Sequence, residues 1–135
     1  MTDSELKNAV FSAISAGLDA EFWADNALKQ TAAYNSAKND VFARVSGLSL
    51  DAITPGIQTP VVMAIAEQAL YLLRNYAEQS TGQAVASESV DGLAVAYGVI
   101  NKSDGILSPR ALAYLDNIKT EMKRAAISGI RFNRG

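Results

Sequence analysis

The sequence predicts a mainly α protein: a small helical bundle of about four helices, with one short β-hairpin protrusion and an extended C-terminal tail. Three observations point there. Apolar residues recur at helical spacing over four stretches, each opened by a capping residue or proline or closed by a glycine. One stretch, Leu93 to Val99, alternates instead with period two behind the turn pair Asp91-Gly92. The chain has 135 residues, within the ~100–200 of a single domain and enough to bury a core without staples.

The first helix opens at Thr2. Glu5 follows three residues later, the capping-box spacing in which each side chain satisfies a free backbone N–H. Leu6, Val10, Ala13 and Ile14 make its apolar face, and Gly17 is its stop signal. Asp19 to Trp23 reads as a connection or a short turn of helix. Phe22 and Trp23 are adjacent and so cannot share a helix face, yet both are expected in the core. A long helix then runs from about Ala24 to Val45, with Leu28, Thr31, Ala32, Tyr34, Val41, Phe42 and Val45 near one stripe. Asn35, Ser36, Lys38 and Asn39 dilute that stripe, and Gly47 ends the helix.

Residues 46–59 read as a loop turning at Pro55-Gly56 and pinned to the core by Leu48, Leu50, Ile53 and Ile57. Thr59-Pro60 opens the third helix, because threonine caps and proline suits the first helical position. This helix, to about Gln79, is apolar around most of its circumference and should be central. Ser80 to Ser87 breaks it, and the hairpin follows. Ser108-Pro109 repeats the cap-plus-proline start. The last helix runs to about Ile127 and presents Leu112, Leu115, Ile118, Met122 and Ala126. Gly129 ends it. Residues 1–128 thus form one bundle domain with a hairpin at about 85–99, and residues 129–135 form a docking tail.

The absences narrow the function. With no histidine and no cysteine, the commonest general base, the commonest metal ligand and every thiol chemistry are missing. The expectation is a protein that is not an enzyme and holds no metal or cofactor. Asp19, Glu21 and Asp25 cluster near Trp23, but carboxylates at a helix start are favoured electrostatically anyway. Asn101 to Gly105 lacks the ligands of a calcium loop. No run approaches the ~20 apolar residues of a membrane span. The polar N-terminus does not resemble a signal peptide, and the lack of cysteine suits a cytoplasmic origin.

Charge is unevenly spread. Residues 1–108 carry six Lys/Arg against twelve Asp/Glu, and residues 109–135 carry six against two, so −6 and +4 make up the net −2. An acidic body with a basic end is not the footprint of a duplex-DNA binder. It fits helix-dipole complementation or docking of the basic end on an acidic partner. The strand 93–99 is a candidate exposed edge, of the kind that pairs with other chains. Phe132 between Arg131 and Arg134 is an anchor-plus-charge pattern found at interfaces.

Three segments carry a resemblance: AIAEQALYLLRNY in the third helix, SESVDGLAVAYG after it, and LSPRALAYLDNI at the start of the last helix. In this succession, over about residues 60–118, the chain resembles head–tail adaptor (connector, or head-completion) proteins of tailed bacteriophages. The resemblance implies a structural virion protein at the head–tail junction, made in the host bacterial cytoplasm. It implies a homo-oligomeric ring, commonly of twelve copies, beneath the portal protein. The C-terminal end would dock on the portal through Arg124, Ile130, Arg131, Phe132, Asn133 and Arg134. The hairpin residues Val90, Asp91, Gly92, Leu93, Val95 and Tyr97 would face the next connector or tail-completion protein, or a neighbouring subunit. Genomic DNA would pass through the lumen without specific binding, and an acidic duct would repel it. No membrane is involved. Two other expectations stand beside this one: a phage single-strand DNA-binding accessory protein, and a tail-completion or terminator protein.

Overall fold

The computed structural model describes residues 1–86 and 107–134. Among these residues the protein is mainly α, with no strand. The helices are α1 (Asp3–Ser15), α2 (Ala20–Asp25), α3 (Gln30–Arg44), α4 (Pro55–Ala86) and α5 (Pro109–Arg134). Short 3-10 turns at Ala27–Lys29 and Leu50–Ala52 lie in the connections. The expected hairpin residues from 87 to 99 lie outside the described residues.

α1 begins as its sequence requires. Glu5 N–H donates to Thr2 Oγ1 at 3.2 Å, and Thr2 N–H donates to Glu5 Oε1 at 3.0 Å. Leu6, Val10 and Ile14 are buried. The long helix expected from Ala24 is divided instead. α2 stops at Asp25 because side chains compete for its last carbonyls. Asn26 Nδ2 donates to Phe22 O, and Gln30 Nε2 donates to Trp23 O, both at 2.8 Å. The break turns α3 so that Ala33, Tyr34, Ala37 and Val41 face the core. Leu28, Thr31 and Ala32, assigned to the stripe from sequence, are exposed. Trp23 is buried, meeting Phe11 edge-on at 5.1 Å, and Phe22 is partly buried against the core.

α3 ends at Arg44, and Gly47 turns the chain with φ 82°, a left-handed conformation that suits glycine. Leu48, Ile53 and Ile57 pin the loop to the core, with Leu50 half-buried. α4 starts at Pro55, earlier than expected. Proline at a first helical position gives up only an N–H that would be unpaired anyway. Pro60 then sits inside the helix. It forgoes the bond to Gly56 within the opening turns, while Ile57 and Val61 on either side are buried.

Two stop signals fail. α4 continues through Ser80, Thr81 and Gly82 to Ala86, and α5 continues through Gly129 to Arg134. The expected extended tail is therefore helical over 129–134. A glycine inside a helix costs only about 1 kcal/mol relative to alanine, and Ser or Thr less. A glycine acts as a stop by adopting a left-handed cap, and among the described glycines only Gly47 has a positive φ.

α4 is the central helix, packed against α1, α3 and α5. Its segment Pro55–Asn75 is long and apolar enough by composition to cross a membrane, yet 56% of its apolar window is buried within the fold. That apolarity covers several neighbours at once, as a central helix requires. α5 packs along it through Ala111, Leu115 and Ile118.

Candidate functional site

The position of α5 is set by one polar side chain. Gln68 of α4 is fully buried. Ser108 N–H donates to Gln68 Oε1 at 2.8 Å, and Gln68 Nε2 donates to Asp40 Oδ2 at 3.0 Å. Ser108 also caps α5, accepting the Ala111 N–H at 3.4 Å. One amide thus ties α3, α4 and the start of α5 at a single level. Burial pushes the Asp40 carboxyl above its usual range, against the lowering effects of Gln68 and Arg44. Among the described residues no buried side-chain polar atom lacks a partner.

From that level α4 and α5 run in opposite directions. Arg110 lies 3.9 Å from Glu67. Met122 approaches Gly47, in the connection between α3 and α4, with its Cε 3.8 Å from where a Cβ there would stand. α5 therefore returns antiparallel along α4 toward the α4 start. Beyond Met122 its backbone runs on to Arg134 for about 18 Å, at about 1.5 Å per residue. At the other end α4 runs on from Arg74 to Ala86, also for about 18 Å. The bundle has two helical extensions at opposite ends. One leads into residues 87–106, and the other carries the C-terminal positions.

The expected portal-docking residues fall on the second extension. Arg124 is exposed and 3.2 Å from Glu121. Ile130, Arg131, Phe132, Asn133 and Arg134 lie on the helical backbone of α5. The expected hairpin-interface residues Val90, Asp91, Gly92, Leu93, Val95 and Tyr97 lie outside the described residues. The acidic cluster does not converge: Asp19 pairs with Arg74, while Glu21 and Asp25 are exposed and Trp23 is buried. Arg74 also stacks on the Phe22 ring, 5.3 Å from its centroid. The described residues hold no group of His, Cys, Asp or Glu that could bind a metal.

A second carboxylate network fixes the start of α1. Asp3 Oδ1 accepts from Tyr34 Oη and from Lys38 Nζ, each at 2.8 Å. Lys38 first, then Tyr34, holds the Asp3 carboxyl below its usual range. Burial, then Asp3, pushes the Tyr34 hydroxyl above its own.

Three features escaped the sequence. Gln68 is one, because spacing alone does not tell a buried amide from a surface one. Leu18 and Leu28 are fully exposed at the two ends of α2. Finally, Arg44, Val45, Ser46, Lys119, Thr120, Met122 and Lys123 line a shallow, open groove of about 650 Å³. The i, i+4 spacing of Lys119 and Lys123 was the available signal for a basic helix face.

Comparison with protein families, with curated proteins and with solved structures gives no match for this chain.

Proposed function

We propose that the chain is a head–tail adaptor of a tailed bacteriophage. It is a structural virion subunit that forms a ring, by the family resemblance of twelve copies, beneath the portal protein. It joins the DNA-filled capsid to the tail and continues the DNA channel. The observation that carries this reading is the opposed pair of helical extensions. A connector has to engage one partner above and another below, and α4 and α5 lead away from one body in opposite directions. The basic end, with Arg124, Ile130, Arg131, Phe132, Asn133 and Arg134, is the portal-docking element, presented on a helix. The 87–106 segment, with Val90 to Tyr97, meets the next connector or a neighbouring subunit. The acidic body keeps passing DNA from adhering.

The test is binding to portal-bearing, DNA-filled capsids by the full chain and by a version ending at Ser128. The cut leaves the α5 core residues Ala111, Leu115 and Ile118 in place. Stoichiometric binding by the full chain, lost on truncation and weakened by Phe132→Ala, is expected. Binding by both keeps the adaptor and moves its anchor off residues 129–135. No binding to intact capsids by either overturns the proposal. Salt-sensitive oligonucleotide binding would then favour the single-strand DNA-binding reading.

A further inference from the structure

We propose that copies of this chain join head to tail, the α2 corner of one docking on the basic α3–α5 groove of the next. This deepens the adaptor reading, whose ring needs a contact between copies. Glu21 and Asp25 stand one helical turn apart on α2, and both are exposed. Lys119 and Lys123 stand one turn apart on α5, both exposed and both lining the groove with Arg44. None of these four makes an ion pair among the described residues.

Each pair is mildly unfavourable within its own helix, because like charges at i, i+4 repel. Asp25 also ends α2, where the helix dipole disfavours a carboxylate. The two pairs share one spacing and carry opposite charge, so facing each other removes both penalties. Lys29 lies at the same corner, and Asp19 there is already neutralised by Arg74.

The corner also supplies apolar surface. Leu18 and Leu28 flank α2 and are fully exposed. The groove offers them the partly buried Met122. A central apolar contact inside a charged rim is the usual anatomy of an interface.

The two surfaces lie in different places on the molecule. Asp19, at the start of α2, is fixed to Arg74, about 9 Å beyond the Gln68 level toward the α4 C-terminus. The groove lies at Met122 and Ser46, toward the α4 start. A contact between two different patches is heterologous. It closes into a ring where the rotation allows and leaves an open filament where it does not.

The test is sedimentation of the full chain over a wide concentration range, at low and high salt. Self-association that weakens with salt is expected. Lys119→Glu with Lys123→Glu should weaken it roughly tenfold or more, as should Glu21→Lys with Asp25→Lys. The four substitutions together should restore it. Circular dichroism confirms that each variant is folded. As a second readout, Glu21→Cys and Lys123→Cys chains are mixed and oxidised; the natural chain has no cysteine to compete. A mixed disulfide dimer is expected. A chain that stays monomeric throughout overturns the proposal, as does failure of the combined charge swap to restore association, or no mixed dimer. Capsid binding without rescue would refute this contact and leave the adaptor intact; rescue without capsid binding would do the reverse.

Discussion

Replacing Gln68 with leucine keeps the volume and removes the amide on which three helices converge. At least two hydrogen bonds are lost. The Ser108 N–H is left buried without a partner, which costs about 1–3 kcal/mol. The Asp40 carboxylate loses its donor, a bond to a charged group worth about 1.5–3 kcal/mol, less here because Asp40 is only half-buried. Burying apolar surface in place of the amide returns about 1 kcal/mol. The net expectation is a loss of about 2–4 kcal/mol. For a domain of this size that lowers the melting temperature by roughly 7–14 °C. Urea unfolding followed by circular dichroism measures the loss. Hydrogen exchange localises it, since the Ser108 to Leu112 amides at the α5 start should lose protection before those of α1. A Gln68→Leu chain within about 0.5 kcal/mol of wild type, the ordinary range for surface changes, would refute the reasoning. So would unchanged protection at Ser108.

Two further substitutions use the titrating carboxylates, and their signs differ. Burial raises the folded-state pKa of Asp40. Between its ordinary 3.8 and that raised value the native state holds more protons than the unfolded one. The contribution of Asp40 is therefore most favourable in acid and declines as pH rises through that window. Asp40→Asn, whose side-chain oxygen can still accept from Gln68, should be more stable than wild type at pH 7 and should lose this decline in a series of urea titrations. Asp3 behaves oppositely. Lys38 and Tyr34 lower its folded-state pKa, so its contribution is present above 3.8 and is lost as pH falls through the lowered value. Asp3→Asn should cost under about 1 kcal/mol at pH 7, because the pair is partly exposed and screened, and the cost should vanish in acid.

The parts of the fold visible in the sequence were those specified by neighbours in the chain. The Thr2–Glu5 box, the Gly47 turn, the Ser108-Pro109 start and the apolar circumference of α4 all act over a few residues. The misread parts depend on distant partners. α2 and α3 separate because Asn26 and Gln30 bond back to the carbonyls of Phe22 and Trp23, and no hydrophobic period records that choice. Leu28 fits a helical stripe by counting and falls outside it once the break turns α3. The helices persist through Gly82 and Gly129 because a propensity of about 1 kcal/mol yields to its surroundings. At the candidate sites the charges were legible as a bias along the chain. The groove was not, because Arg44 and Lys119 become neighbours only when α5 doubles back along α4.

That return path puts the groove and the C-terminal extension at different levels of one helix. Gln68 fixes the level at which α5 starts, and the rise per residue fixes where it clears the α4 start. Everything past about Met122 therefore extends beyond the body, whatever its own side chains do. A change at Gln68 that loosened α5 would move the groove and the C-terminal extension together, since both ride on one helix. A cut at Ser128 removes only the end of the extension and leaves Lys119 and Lys123 in place. If contact between copies and docking on the portal are distinct, the truncated chain should still self-associate while losing its capsid. Loss of both on truncation would mean that a single surface, continuous along α5, serves both contacts.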